Sequence, residues 1–169
     1  MYPLDSLHGW IVFIHVAGVL LFLIAHGVSA GVALRLRGER NPVAVRTLVD
    51  LSRRGMIVMS VGALMWLVAG IVAGFTGNWW TGGKNIWIWV SLVLAIVIIA
   101  VMTPWGRIWL NKVRMAVGVD VKTGAVDPNY QVDAGALDAA IKAGKPEMLA
   151  ALGFGGFLII LWLMLFKPF

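Results

Sequence analysis

The sequence predicts an all-α fold in which four transmembrane helices form a bundle. Of the 169 residues, 60% are apolar and 13% are charged, a composition that excludes an ordinary soluble domain. A segment needs about 20 mostly apolar residues to cross a hydrocarbon layer of about 30 Å. Residues 1–169 are therefore expected to form one membrane domain, with four segments that reach or approach this length: 7–31, 56–75, 86–102 and 149–166.

The first two spans are predicted to be joined by a short interfacial helix. Segment 7–31 is too long for a signal peptide and lacks a basic cluster before it, so we expect it to remain as a membrane helix. Asn41 followed by Pro42 is typical of an N-cap with proline at the first helical position. The helix that starts there is expected to continue into span 56–75 with a bend at Gly55.

The third span is followed by the longest connection of the chain, 103–148. Within it, Asp133 is a typical N-cap for a helix over 134–143, and Gly144 is typical of a helix end. At roughly 40 residues the connection is long for a helical bundle. It is therefore expected to contact a partner or to cover one face of the bundle.

The charge distribution predicts the topology and the partner class. The formal net charge of +6 is compatible with nucleic acid or with a membrane surface as a partner. By the positive-inside rule, the connections 32–55 and 103–148 are cytoplasmic and both chain ends lie outside. The lipid bilayer is then the expected partner and nucleic acid is not. The arginines act either as a topology signal or as a docking patch for anionic lipid or an acidic protein; those of the first connection are Arg35, Arg37, Arg40, Arg46, Arg53 and Arg54.

Tryptophan and glycine positions add two expectations about the bundle. Indole rings concentrate at the two membrane interfaces, and Trp105 and Trp109 are expected to mark the inner one. Glycines spaced by four residues allow helices to approach closely in lipid, within one chain or between two copies. Two such pairs are present, Gly27 with Gly31 and Gly70 with Gly74.

All three histidines of the chain fall on one stripe of the first span. His8, His15 and His26 are separated by about two and three helical turns, so their side chains superimpose within roughly 20°. His15 and His26 are expected to lie in hydrocarbon. An ionisable group at that depth is costly unless it faces protein, water or a bound group. The stripe is therefore the candidate functional site.

Histidine and methionine are the side chains available to bind a cofactor. The chain has no cysteine, which excludes thiolate sites and covalent haem attachment. Imidazole and thioether suit the axial positions of a b-type haem and also bind copper. At about 1.5 Å per residue, Met164 matches the depth of His15 and Met59 that of His26. Phe22 adds an aromatic wall on the same face.

The sequence thus predicts His15 and His26 as ligands of haem b or of a metal ion, with several arrangements open. Two histidines on one helix face cannot bind opposite sides of a single haem. A five-coordinate iron, a His/Met pair across the bundle and a His/His pair between two copies are the alternatives. In the opposing interpretation, both histidines are neutral core side chains bonded to a backbone carbonyl or to a hydroxyl group of Ser60, Ser91 or Thr103.

Two short motifs carry a resemblance to known families. The first span, with Phe13-Ile14-His15-Val16-Ala17-Gly18, resembles the Leu-His-x-x-Gly opening of small bacterial membrane proteins related to copper resistance protein D. The ending Met164-Leu165-Phe166-Lys167-Pro168 resembles the Met-x-x-Lys-Pro terminus of a four-helix family of unknown function in that group. The chain more distantly resembles HemJ-type protoporphyrinogen oxidases, and that resemblance implies a haem on His15.

The expected function is that of a small, non-enzymatic, multi-pass protein of the bacterial inner membrane. It would bind haem or metal in electron transport, or act as an accessory subunit, and its partner would be another membrane protein or a second copy. One alternative is a structural subunit of a larger complex without a cofactor. The other is a porphyrinogen oxidase of the HemJ type.

Overall fold

The protein is an all-helical membrane bundle. The computed structural model describes residues 6–80 and 85–168, and four helices in that part of the chain are long and apolar enough to cross a membrane. This confirms the predicted four-helix membrane fold. The chain is thus a multi-pass membrane protein. In chain order the helices are α1 (Leu7–Leu36), α2 (Pro42–Thr76), α3 (Ile86–Ala116), α4 (Ala134–Lys142) and α5 (Pro146–Phe166).

The helix caps lie where the sequence predicts them. The Asn41 side chain accepts a hydrogen bond from the backbone N–H of Val43 at 2.9 Å, and Pro42 opens α2. Asp133 caps α4, since its carboxylate accepts from the backbone N–H groups of Gly135 at 2.7 Å and Ala136 at 3.1 Å. Each cap satisfies N–H groups that a helix start leaves without an internal partner.

All four spanning helices are longer than the spans predicted from hydropathy, and α2 and α3 are so by the most. α2 runs without a break through Gly55, so the expected interfacial helix and span form one helix of 35 residues, about 52 Å long. α3 continues from Ile86 past Met102 and through Pro104 to Ala116. Both are longer than a hydrocarbon layer of about 30 Å. The sequence did not predict the extra length, because hydropathy marks only the part of a helix that contacts lipid.

The helices pack as two antiparallel pairs, α1 with α2 and α3 with α5, with smaller contacts between the pairs. α1 and α2 cross where Gly18 faces Gly62. A Cβ at Gly62 would lie 2.6 Å from the backbone nitrogen of Phe22, so only glycine allows this approach. The predicted glycine pair Gly27 and Gly31 is not at the crossing, because each has nothing within 4 Å of its Cβ position.

The most deeply buried apolar residues lie at the arginine-rich end, which the positive-inside rule predicts to be cytoplasmic. Side chains from α1, α2, α3, α4 and the turn after α3 meet there. The indole N–H of Trp109 donates to the carbonyl of Ala140 at 3.1 Å and ties α4 onto α3. We call this cluster the cytoplasmic core; it consists of Val32, Leu36, Val45, Val49, Trp109, Leu110, Val113, Val117, Val119, Leu137 and Ile141.

Both described chain ends lie together at the opposite end of the bundle. His8, near the start of α1, bonds through Nδ1 to the hydroxyl of Thr76 at 2.7 Å. The ammonium group of Lys167 lies 5.3 Å from the ring centres of Trp79 and of Trp87, in cation–π geometry. An even number of membrane crossings brings the start and the end of the chain to the same side of the membrane.

Candidate functional site

His15 lies in the seam between α1 and α2. Its Nδ1 is 2.7 Å from the backbone carbonyl oxygen of Trp66. Its ring occupies a notch at Gly70, where a Cβ would lie 2.7 Å from Nδ1. A carbonyl oxygen only accepts, so Nδ1 carries a proton and the neutral ring has its lone pair on Nε2. Histidines that bind metals are commonly oriented by such a second hydrogen bond.

His26 lies in a different seam, between α1 and α5. Its ring stacks on Phe22, with centres 5.9 Å apart and an interplanar angle of 4°, and meets Phe154 edge-on at 5.0 Å. Nε2 is buried and has no hydrogen-bond partner among the residues that the structure describes. It faces Gly153 of α5, where an added Cβ would overlap it. The ring is thus held by aromatic packing and not by polar contacts.

The methionine beside His26 comes from α3. The Met102 methyl carbon and His26 Nε2 both approach the Cβ position of Gly153, the former at 3.0 Å. Met59 and Met164, expected from depth, are half-buried in α2 and α5. The contacts described above for His15 and His26 are with other residues. Depth along a helix does not show which neighbouring helix faces a side chain, and Met102 was missed for that reason.

Phe22 is part of an aromatic row that joins α1 to α5. Besides its contact with His26, its ring stacks on Phe157 with centres 6.4 Å apart. The described ring contacts of Phe22 are therefore with His26 and with α5. They do not include His15, whose cofactor site the wall was expected to border.

Two of the three hydroxyl groups considered as histidine partners bond within their own helices. Ser60 donates to the carbonyl of Met56 at 2.9 Å, and Ser91 to that of Trp87 at 2.7 Å, each within its own helix. Serine in membrane helices commonly satisfies itself in this way. Of the partners expected for a neutral core imidazole, the backbone carbonyl is the one found, at His15.

The two histidines differ in their capacity to hold a cofactor. Within residues 6–80 and 85–168, no three histidine or acidic side chains are grouped to hold a metal ion. Haem requires only one or two protein ligands. His15 is the better candidate for that role, because the bond to Trp66 fixes Nδ1 and leaves Nε2 as the nitrogen that could bind iron. His26 does not fit in this packing, since the α5 backbone occupies the space in front of Nε2.

Comparison of the chain with protein-family models, with curated proteins and with solved structures finds no match. The fold and the site therefore define the protein only as a class. It is a multi-pass helical membrane protein with two histidines embedded in its bundle.

Proposed function

We propose that this protein is a small, non-enzymatic subunit of the bacterial inner membrane that holds a b-type haem through Nε2 of His15. The supporting observation is the hydrogen bond from His15 Nδ1 to the carbonyl of Trp66 at 2.7 Å. It selects the tautomer with the lone pair on Nε2 and fixes the plane of the ring. A carbonyl group bonded to Nδ1, the nitrogen that does not bind the metal, also raises the basicity of a ligating imidazole.

A bound haem would supply a one-electron carrier inside the bilayer. The protein's own contribution is positional: Trp66 orients the ring, and Gly70 leaves room for it. Met164 of the same chain, which matches His15 in depth, or His15 of a second copy would be the second residue to hold the haem. Electron transfer to a larger membrane complex would then be the role of the subunit.

The second candidate is a structural subunit without a cofactor. The packing of His26 favours it, because the imidazole ring lies between Phe22 and Phe154 and packs there as an aromatic ring. In this proposal the bond from His15 to Trp66 serves only to hold α1 against α2. A porphyrinogen oxidase would share the His15 ligand with the first proposal and would differ from it by turnover.

The test is the visible spectrum of the purified full-length protein in mild detergent, before and after addition of haem and of dithionite. We expect a reducible Soret band that is lost in His15→Ala. His26→Ala is the matched control, because it removes the other embedded imidazole and is expected to keep the band.

A wild-type spectrum without a band after haem addition would exclude His15 ligation and favour the structural subunit. A band that survives in His15→Ala would also exclude His15 ligation and would assign the haem to another residue. Porphyrinogen turnover by the haem-loaded protein, lost in His15→Ala, would contradict the non-enzymatic role. The same preparation therefore separates all three alternatives.

A further inference from the structure

We propose that the cytoplasmic end contains a binding site for a phosphate group, formed by Arg46, Arg53 and Arg114. These arginines line a cavity of about 290 Å³ between α2, the end of α3 and the turn over 117–126. The site is separate from the histidine seams, and the proposal does not rest on the proposed function. Its key residue is Arg114.

Arg114 is a buried cation with unused donors. Its exposed fraction is 6%. Nη1 donates to the side-chain oxygen of Asn111 at 3.1 Å, whereas Nε and Nη2 are buried and have no hydrogen-bond partner in the described part of the chain. A guanidinium group in this state is strongly destabilising unless an acceptor is supplied. The unused donors belong to a side chain that lines the cavity.

Backbone contacts fix the other two arginines at the cavity wall. Arg46 donates through Nε to the carbonyl of Val117 at 2.8 Å, which ties it to the turn after α3. The Arg53 guanidinium lies directly on Gly124, where an added Cβ would overlap it. Gly124 has a φ of +77°, so the turn conformation also favours glycine. The positions of both guanidinium groups are thus set by the fold.

The acidic side chain in the cavity wall is already paired. Asp50 accepts from Nε of Arg54 at 2.9 Å, within one turn of α2. Arg46, Arg53 and Arg114 form no ion pair with any residue that the structure describes. The cavity wall holds three guanidinium groups and one carboxylate that is already paired with Arg54, so the net charge of the cavity is positive. The missing partner is therefore an anion.

Cavity size and guanidinium geometry favour a phosphate group. The planar fork of arginine matches phosphate oxygens in a bidentate manner. At about 290 Å³ the cavity is at the lower limit for small-molecule pockets, so it suits a phosphate group better than a nucleotide. Arg114 lies in the last turn of α3, at the end of the bundle that the positive-inside rule places next to anionic lipid of the cytoplasmic leaflet. The phosphate can therefore belong to a lipid headgroup or to a free anion.

The experiment is thermal unfolding of the full-length protein in an uncharged maltoside detergent. Inorganic phosphate is titrated against chloride at equal ionic strength, and phosphatidylglycerol is added in a second arm. We expect one of these probes to raise the melting temperature of the wild type above that in chloride. Arg114→Met should raise the probe concentration needed for half of this shift by about tenfold or more, since a charged hydrogen-bond donor is lost.

Arg35→Met is the matched control, because Arg35 is a largely exposed arginine of the same membrane face, and it should respond like the wild type. Stabilisation by inorganic phosphate identifies a free anion, and stabilisation by phosphatidylglycerol alone identifies a lipid headgroup. Arg53→Met should show the same loss and replaces Arg114→Met if that variant does not fold. A wild type that responds to neither probe, or a response that both cavity variants retain, overturns the proposal.

Discussion

The cytoplasmic core and the membrane half of this protein are packed by different rules. In the cytoplasmic core, Leu36 and Leu137 are at most 1% exposed. In the membrane half, large apolar side chains such as Ile24 and Leu64 are more than 60% exposed and face lipid. Where water surrounds the protein, the hydrophobic effect collects apolar side chains inside. Lipid tails are as apolar as leucine, so that force is absent between the spans.

This difference determines how each region is held together. The spans meet by close backbone approach, as at Gly18 and Gly62, and by single polar contacts such as that of His15 with Trp66. The cytoplasmic end joins four helices through one apolar cluster. Polar groups without partners therefore carry different information in the two regions. In the membrane, His26 Nε2 faces the α5 backbone at Gly153, whereas Arg114 lines an open cavity.

The largest effect is expected from truncation of the cytoplasmic core. Leu137→Ala removes a side chain that is 1% exposed and should lower the free energy of unfolding by about 2–5 kcal/mol. Leu64→Ala removes the same atoms from a lipid-facing position and should change it by less than about 0.5 kcal/mol. The measurement is reversible unfolding in mixed micelles. Equal losses in both variants would show that the two regions are packed alike.

A smaller effect is expected at the crossing of α1 and α2. Gly62→Ala forces a methyl group against the backbone nitrogen of Phe22 and should destabilise the bundle by about 1–3 kcal/mol. Gly27→Ala, with open space at its Cβ position, should be neutral or stabilising by up to about 1 kcal/mol. The same unfolding assay compares them. A larger loss for Gly27→Ala would place the close helix contact on the other face of α1, as in a dimer.

The sequence predicted the four-helix fold better than it predicted where the helices end. Four apolar segments and the caps at Asn41 and Asp133 are local signals. The segments predicted the spans and the starts of α1 and α3, and the caps predicted the starts of α2 and α4. The continuation of α3 beyond Met102 was not predicted, because hydropathy falls where a helix leaves lipid. The amphipathic pattern of Trp109, Leu110 and Val113, all buried, was the available signal for that extension.

The sequence predicted that His15 and His26 lie within the first membrane helix, but it did not predict their contacts. The spacing of His15 and His26 placed them on one stripe, yet one is bound to α2 and the other packs on α5. Which helix neighbours which is a long-range property that depth along a span does not encode. Arg114 gave no separate signal either, because as a topology marker it resembles any other cytoplasmic arginine.

The smallest effect concerns the turn that carries Gly124 and closes the cavity. Hydrogen bonds from the backbone N–H and the hydroxyl of Thr123, at 2.6 and 2.7 Å, hold the pKa of Asp120 below its ordinary value of 3.8. Because the folded-state pKa is lowered, the stabilisation is complete above 3.8 and is lost as pH falls through the folded value.

We therefore expect amide-exchange protection of Thr123 and Gly124 to decrease in that acidic range. Asp120→Asn keeps an acceptor oxygen without the titration and should show no such decrease, although its protection at neutral pH should be modestly lower. The core amide of Leu137 serves as the internal reference. If protection at Thr123 falls only together with that at Leu137, the turn opens with the whole cytoplasmic core, and its stability does not depend separately on Asp120.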